Sequence, residues 1–256
     1  MIGRKTKIGV CALGALAVSA IVAQGVSAAG TTAYTCKGVA PGTGTFKAAH
    51  CKSADAGTGN FNHVSIANGT TTEVLASDLN TAGEHVGAEL KATVAGSSVA
   101  LHANEVSGSG SMANSESIGE MIASGEGVLK FSGVTETFLG CTVVGIPGGP
   151  GVVETKQLFA TTQGVGDKVK VTPKTGTILA EFELTSCVVA STYKVVGSVL
   201  GVPDGATYNT VHSTVTAEKT LRLQSPTGPL AGLESSITLS GRSGGSGAYT
   251  PLSVTT

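Results

Sequence analysis

Five histidines, His50, His63, His85, His102 and His212, are the groups of this chain best suited to move protons near neutral pH. None lies two or four residues from another, so no two imidazoles share a strand face or a helix turn by local spacing. His50 and His63 are the pair to watch for a metal or a proton relay, because a bond between Cys36 and Cys51 would draw their segments together. Asp78 with Glu84-His85 forms a second acid and base candidate, in a segment that also reads as a polar surface turn. Gly241-Arg-Ser243-Gly-Gly245 matches the G-x-S-x-G pattern that presents a nucleophilic serine between a strand and a helix. That chemistry needs an acid and a histidine further along, and the eleven residues after Gly245 contain neither, so Ser243 reads as a loop serine. Gly108-Ser-Gly110-Ser-Met-Ala113 has the spacing of a phosphate-cradling glycine loop, G-x-G-x-x-A. No alternation of strands and helices surrounds it, and a flexible turn is the expectation. Asn68-Gly69-Thr70 is a formal glycosylation sequon and reads more simply as a turn.

The cysteines carry a firmer message. Of five, Cys11 falls in the amino-terminal leader described below, which leaves Cys36, Cys51, Cys141 and Cys187. Three pairings are possible, and the sequential one, Cys36 with Cys51 and Cys141 with Cys187, is the simplest. Loop closure assigns these bonds about 3 and about 4 kcal/mol. Zinc ligation is not expected, since no C-x-x-C pair or H-x3-H spacing accompanies them. Ala48-Ala49-His50-Cys51 resembles the segment that carries the catalytic histidine of trypsin-like serine proteases. The resemblance covers four residues, and the matching glycine-rich loop, Gly145-Ile-Pro-Gly-Gly-Pro-Gly151, has no serine to attack a carbonyl. His50 therefore reads as a residue flanking a disulfide.

Arg4, Lys5 and Lys7 precede an apolar run from Ile8 to Ala23, and Val26-Ser27-Ala28 supplies a small-x-small cleavage pattern. The run is shorter than the roughly 20 residues that span a bilayer, so residues 1–29 read as an export signal with no membrane span left after cleavage. An oxidising exterior then permits the disulfides and offers no supply of nucleotide cofactors, and none is expected. Charged residues make up 13 % and net charge is −1, which removes the basic field a nucleic-acid binder needs. Aromatics are 4 % with no tryptophan, so the core must be aliphatic and a sugar platform is weakly supported.

Strand patterns recur along the mature chain at Asn62 to Ile66, Thr71 to Ala76, Leu90 to Val94, Ser98 to Ala103, Gly127 to Phe131, Cys141 to Val144, Val152 to Ala160 and Lys168 to Thr172. Others follow at Tyr193 to Leu200, Thr210 to Thr216, Thr220 to Gln224 and Ser235 to Leu239. In Ile178 to Leu184 the alternation puts Ile178, Ala180, Phe182 and Leu184 on one face and Glu181 and Glu183 on the other. Cys187 would then point the opposite way from Leu184, so its bond requires a strand end or bulge near Ser186. Gly145 to Gly151, Gly201 to Gly205, Ser225 to Gly228 and Gly241 to Gly247 read as turns or loops. Asn114 to Ala123, with Ile118, Met121 and Ile122, is the one helix candidate. The expected fold is all-β, an antiparallel sandwich or barrel with a small disulfide-closed amino-terminal region, residues 30–85, a main domain over 86–256 and at most one short helix.

Tyr34-Thr-Cys36, Phe46-x3-His50-Cys51, Gly59-Asn-Phe-Asn-His63-Val-Ser-Ile66, Gly125-x-Gly127-x3-Phe131 with Cys141, Pro173-x2-Gly176-Thr177, Leu230-Ala-Gly-Leu233 with Thr238 and Ser253-Val-Thr-Thr256 span nearly the whole mature chain. As a set they resemble a large paralogous family of uncharacterised secreted β-rich proteins of actinobacteria. That resemblance implies export and an all-β fold, with no activity attached. The leading expectation is a non-enzymatic extracellular or surface protein, structural or adhesive, whose partners are itself or the cell envelope. A binding module for a glycan or a small apolar ligand in a sandwich mouth is the alternative, marked by a concave groove with clustered Tyr34, Tyr193, Tyr208 or Tyr249. A hydrolase using His50 is the third reading.

Overall fold

The computed structural model describes residues 33–49, 51, 54–80, 82–117, 120–162, 168–204, 207–211, 221–224, 228–243 and 248–254. All regular structure among them is strand. The first strands are β1 (Ala33–Gly38), β2 (Gly44–Phe46), β3 (Ala54–Gly59), β4 (Phe61–Ser65), β5 (Thr71–Ser77), β6 (Ala88–Val94), β7 (Ser97–Ala103), β8 (Glu105–Ser117) and β9 (Glu120–Ser132). Then come β10 (Thr135–Glu136), β11 (Thr142–Gly145), β12 (Gly149–Pro150), β13 (Val152–Glu154), β14 (Leu158–Thr162), β15 (Val169–Pro173) and β16 (Ile178–Thr185). The last are β17 (Ser191–Gly197), β18 (Val199–Asp204), β19 (Thr207–Val211), β20 (Leu221–Leu223), β21 (Ala231–Ser243) and β22 (Thr250–Val254).

Eight of these close on themselves. Hydrogen-bonded antiparallel neighbours run β5, β8, β9, β14, β15, β18, β19, β21 and back to β5, so the ring has no free edge. Chain order and spatial order coincide around the ring, which is the arrangement of an up-and-down barrel. The connections β8 to β9, β14 to β15 and β18 to β19 are direct, and all lie at one end. The intervening connections, at the other end, carry every inserted strand: β6 and β7, then β10 to β13, then β16 and β17, then β20.

The insertions build a floor under that end. Strands β6, β7 and β10 continue from the first half of β21, and β13 pairs with the end of β9. A second sheet, in the order β12, β11, β16, β17, β20, packs with them around Leu101, Val106, Val153, Phe182, Leu184 and Leu221. Phe182 and Tyr193 stack with ring centroids 5.6 Å apart, and the Tyr193 hydroxyl donates to the Val189 carbonyl at 2.5 Å. The Cys141–Cys187 bond ties the entry of β11 to the turn after β16, with Cα atoms 5.0 Å apart.

The opposite end has a roof. Strands β1 to β4 form a small sheet joined to the barrel through β22, which pairs with both β1 and β21. Its disulfide, Cys36–Cys51, has Cα atoms 5.8 Å apart. Asn114, fully buried near the end of β8, clasps this sheet: its Oδ1 accepts from the Ala33 amide at 2.8 Å, and its Nδ2 donates to the Ala33 and Ile66 carbonyls at 2.9 and 2.8 Å. Ala33, Ile66, Leu252 and Val254 pack there against Met112, Ala123 and Val169.

Several sequence expectations are corrected. Asn114 to Ala123 is no helix: residues up to Ser117 belong to β8 and those from Glu120 to β9, in a hairpin whose tip lies outside the described residues. Side chains alternate along its two strands, so apolar Met112 and Ala123 and polar Asn114 point inward as period two requires. Gly108 to Ala113 is no turn and forms the middle of β8. Gly201 to Asp204 likewise pairs within β18, and Gly241 to Ser243 within β21, because neighbouring strands supply ladder partners to the turn-forming residues. Along β16, Ala180, Phe182 and Leu184 are buried as expected, but a bulge between Ile178 and Ala180 buries Leu179 in place of Ile178. The strand end needed before Cys187 is present, with Ser186 at φ 61°.

Candidate functional site

The barrel encloses an apolar lumen. Its inward positions follow from strand alternation: Val74 and Ala76 on β5, Gly110 and Met112 on β8, Gly125, Gly127 and Leu129 on β9, and Leu158 and Ala160 on β14. Val169 and Val171 on β15, Val199 and Gly201 on β18, and Leu233, Ile237 and Leu239 on β21 complete the wall. Floor residues Leu179, Phe182, Val195 and Leu221 close it below. The space between these residues measures about 260 Å³. Leu129, Val171, Val199, Leu233, Ile237 and Leu239 stay only half-buried, since each borders this space as well as packing on the core.

Glycines set its width. Across β8 and β9, Gly108 pairs with Leu129, Gly110 with Gly127, and Met112 with Gly125. A Cβ on Gly110 would sit 2.1 Å from the Glu126 carbonyl oxygen and one on Gly127 2.4 Å from that of Ser109, so the two strands are coiled tightly together at this point. Such creases bend a sheet far enough to close a small barrel.

Among the described lining residues, polar side chains are few. Glu126 borders the lumen by its backbone and sends its carboxylate outward to the Lys174 ammonium. Thr155 Oγ1 accepts the Leu129 amide at 2.9 Å. Outside the ring, Ser107, Ser109, Ser111, Lys130, Lys170 and Thr172 alternate with the inward residues, and Arg242 pairs with Glu73 at 2.7 Å. The barrel is thus apolar within and mixed without, where Leu75, Val128, Phe159 and Val202 are exposed among the polar residues.

The titratable candidates lie elsewhere. His63 is stacked between Tyr34 and Phe46, with centroids 3.7 and 4.1 Å away, and burial pushes its pKa down. His50 and His212 lie outside the described residues. Asp78 and His85 do meet: Nδ1 of His85 is 2.6 Å from Oδ1 of Asp78, while Oδ2 accepts the Gly87 amide at 2.7 Å. Burial pushes the Asp78 pKa up, but the bonds from His85, Gly87 and Val106 outweigh it and hold the carboxyl below its usual range. The hydrogen bond to Asp78 raises His85. This pair closes the loop between β5 and β6 on the floor side, a positioning role. Glu136 acts similarly: its carboxylate accepts the Phe138 and Leu139 amides at 3.0 and 2.6 Å and pins the turn leading to Cys141.

Tyr34 and Tyr193 are buried in separate places, and Tyr249 donates to Glu73 at 2.7 Å with its ring under Arg242. These three form no common platform. Among the described residues, no group of three or more His, Cys, Asp and Glu side chains is arranged to hold a metal ion. The lumen itself escaped the sequence reading. Its signal was the small inward residues of β8 and β9, Gly108, Gly110, Gly125 and Gly127, which resemble loop glycines until the partner strand is known. No family model, curated protein or solved structure matches the chain.

Proposed function

We propose that this protein is an extracellular binding protein that holds a small apolar molecule in the lumen of its barrel. The observation that carries the reading is a space of about 260 Å³ walled almost wholly by aliphatic side chains and glycine. Protein interiors pack as densely as organic crystals and rarely tolerate voids much larger than a water molecule. At about 24 cal/mol per Å³, leaving such a space unfilled forfeits on the order of 6 kcal/mol, comparable to the whole stability of many domains. A structural or adhesive protein gains nothing from that loss, whereas a carrier recovers it when its ligand binds.

Two further features support the reading. The serine, threonine and lysine residues that interrupt the apolar ones on the exterior of the barrel break up any continuous lipid-facing band, which supports a protein that works in water. Both disulfides suit an oxidising compartment, in line with export by residues 1–29. Among the described lining residues the side chains that meet a bound molecule are mostly aliphatic, which supports capture. Equilibrium dialysis of the secreted protein against radiolabelled naphthalene tests it. Saturable uptake of one molecule per chain is expected, and uptake no greater than by a filled-core β protein of equal size would reject the proposal.

A further inference from the structure

The lumen wall also determines which apolar molecules fit, and we infer that its ligand is an uncharged compact hydrocarbon, or a near-hydrocarbon, of about ten non-hydrogen atoms. The inference rests on the binding role proposed above and adds charge and size to it.

Charge follows from what the wall lacks. A carboxylate or ammonium head buried in the lumen would need a counter-ion or several hydrogen bonds to offset its desolvation. Among the described lining residues the only carboxylate is Glu126, whose side chain lies outside and is engaged by Lys174. Thr155 already holds a backbone amide, and Ser235 has a partner of its own. Outer-face cations cannot reach in, because Lys170 and Lys130 alternate with inward Val171 and Leu129 on their strands. A fatty acid or an amine would therefore bury its charge against leucine and valine.

Size follows from volume. An engineered cavity of about 150 Å³ lined by aliphatic and aromatic side chains stays dry and admits benzene, so 260 Å³ of similar character corresponds to about ten non-hydrogen atoms. The shape is compact, since Phe182 and Leu221 on the floor side and Met112 and Val169 on the roof side all line the same space.

Three probes separate the possibilities in one dialysis series on the full secreted protein at neutral pH: naphthalene, 2-naphthoate and pyrene. Naphthalene is expected to bind, with 2-naphthoate at least tenfold weaker and pyrene excluded. If 2-naphthoate binds as tightly as naphthalene, the inference about charge is wrong. If pyrene does, the limit on size is wrong. Failure of all three overturns the binding role itself, which distinguishes that failure from the other two. Val171→Phe, which projects a ring into the lumen, should abolish naphthalene uptake. Competition of naphthalene by toluene on the native chain gives the same single-site answer without a variant, and lack of competition would place the hydrocarbon outside the lumen.

Discussion

Gly110 lies directly opposite Gly127 across β8 and β9, and neither position has room for a methyl group. The close approach involves backbone on both sides, so a side chain cannot be accommodated by a rotamer change. Gly110→Ala or Gly127→Ala is expected to destabilise the protein by about 3 kcal/mol, at the upper end of ordinary overpacking. Urea denaturation would measure it. A loss below about 0.5 kcal/mol would mean that these glycines do not form the crease that closes the barrel.

Asn114 is the only contact in which one side chain satisfies three main-chain groups of the roof among the described hydrogen bonds. Asn114→Ala takes this partner from the Ala33 amide and the Ile66 carbonyl, while the Ala33 carbonyl keeps the Ile66 amide, and should cost about 3 kcal/mol. Amide exchange should rise in β1 and β4 before it rises in the barrel. Uniform exchange across the whole molecule would show that the roof does not open separately.

Thr72 is buried, yet its Oγ1 has no hydrogen-bond partner. Replacing it by valine keeps the branched shape and removes a desolvated hydroxyl. Thr72→Val should leave stability unchanged or raise it by about 1 kcal/mol, read as the thermal midpoint. A fall of more than about 1 kcal/mol would reveal a partner for that hydroxyl.

The Asp78 and His85 pair gives the floor a defined pH response. Asp78 is held below its ordinary 3.8, so its contribution is present above that value and fades as pH falls through the lower folded pKa. His85 is raised above 6.5, so its contribution is complete below 6.5 and fades as pH rises through the higher folded pKa. Together they stabilise most between about pH 4 and 6.5. His85→Gln should flatten the alkaline side of a plot of thermal midpoint against pH, and an unchanged profile would show that the contact is not populated in solution.

Much of the architecture was legible from residue order. The strand runs of β6 and β7, the alternation of Ala180, Phe182 and Leu184 in β16 and the spacing of Cys36, Cys51, Cys141 and Cys187 depend on local geometry or simple loop topology, and these survive folding. Gly108, Gly110 and Asn114 misled because their roles are non-local. A glycine that lets two strands coil together and one that makes a turn look alike in a single chain, and an asparagine that clasps a distant sheet resembles a surface one. The lumen was hidden for the same reason: alternation says that Leu129, Val171 and Ile237 face inward, but not that eight strands close around a space wider than their side chains fill.

The central claim, that the barrel interior receives an apolar molecule, is tested most directly by methyl NMR during titration with naphthalene. The methyl signals of Leu129, Val171, Ile237 and Leu239 are expected to shift together and saturate, while those of outward Leu75 and Val202 stay fixed. Shifts confined to the outward methyls, or none at all, would contradict it.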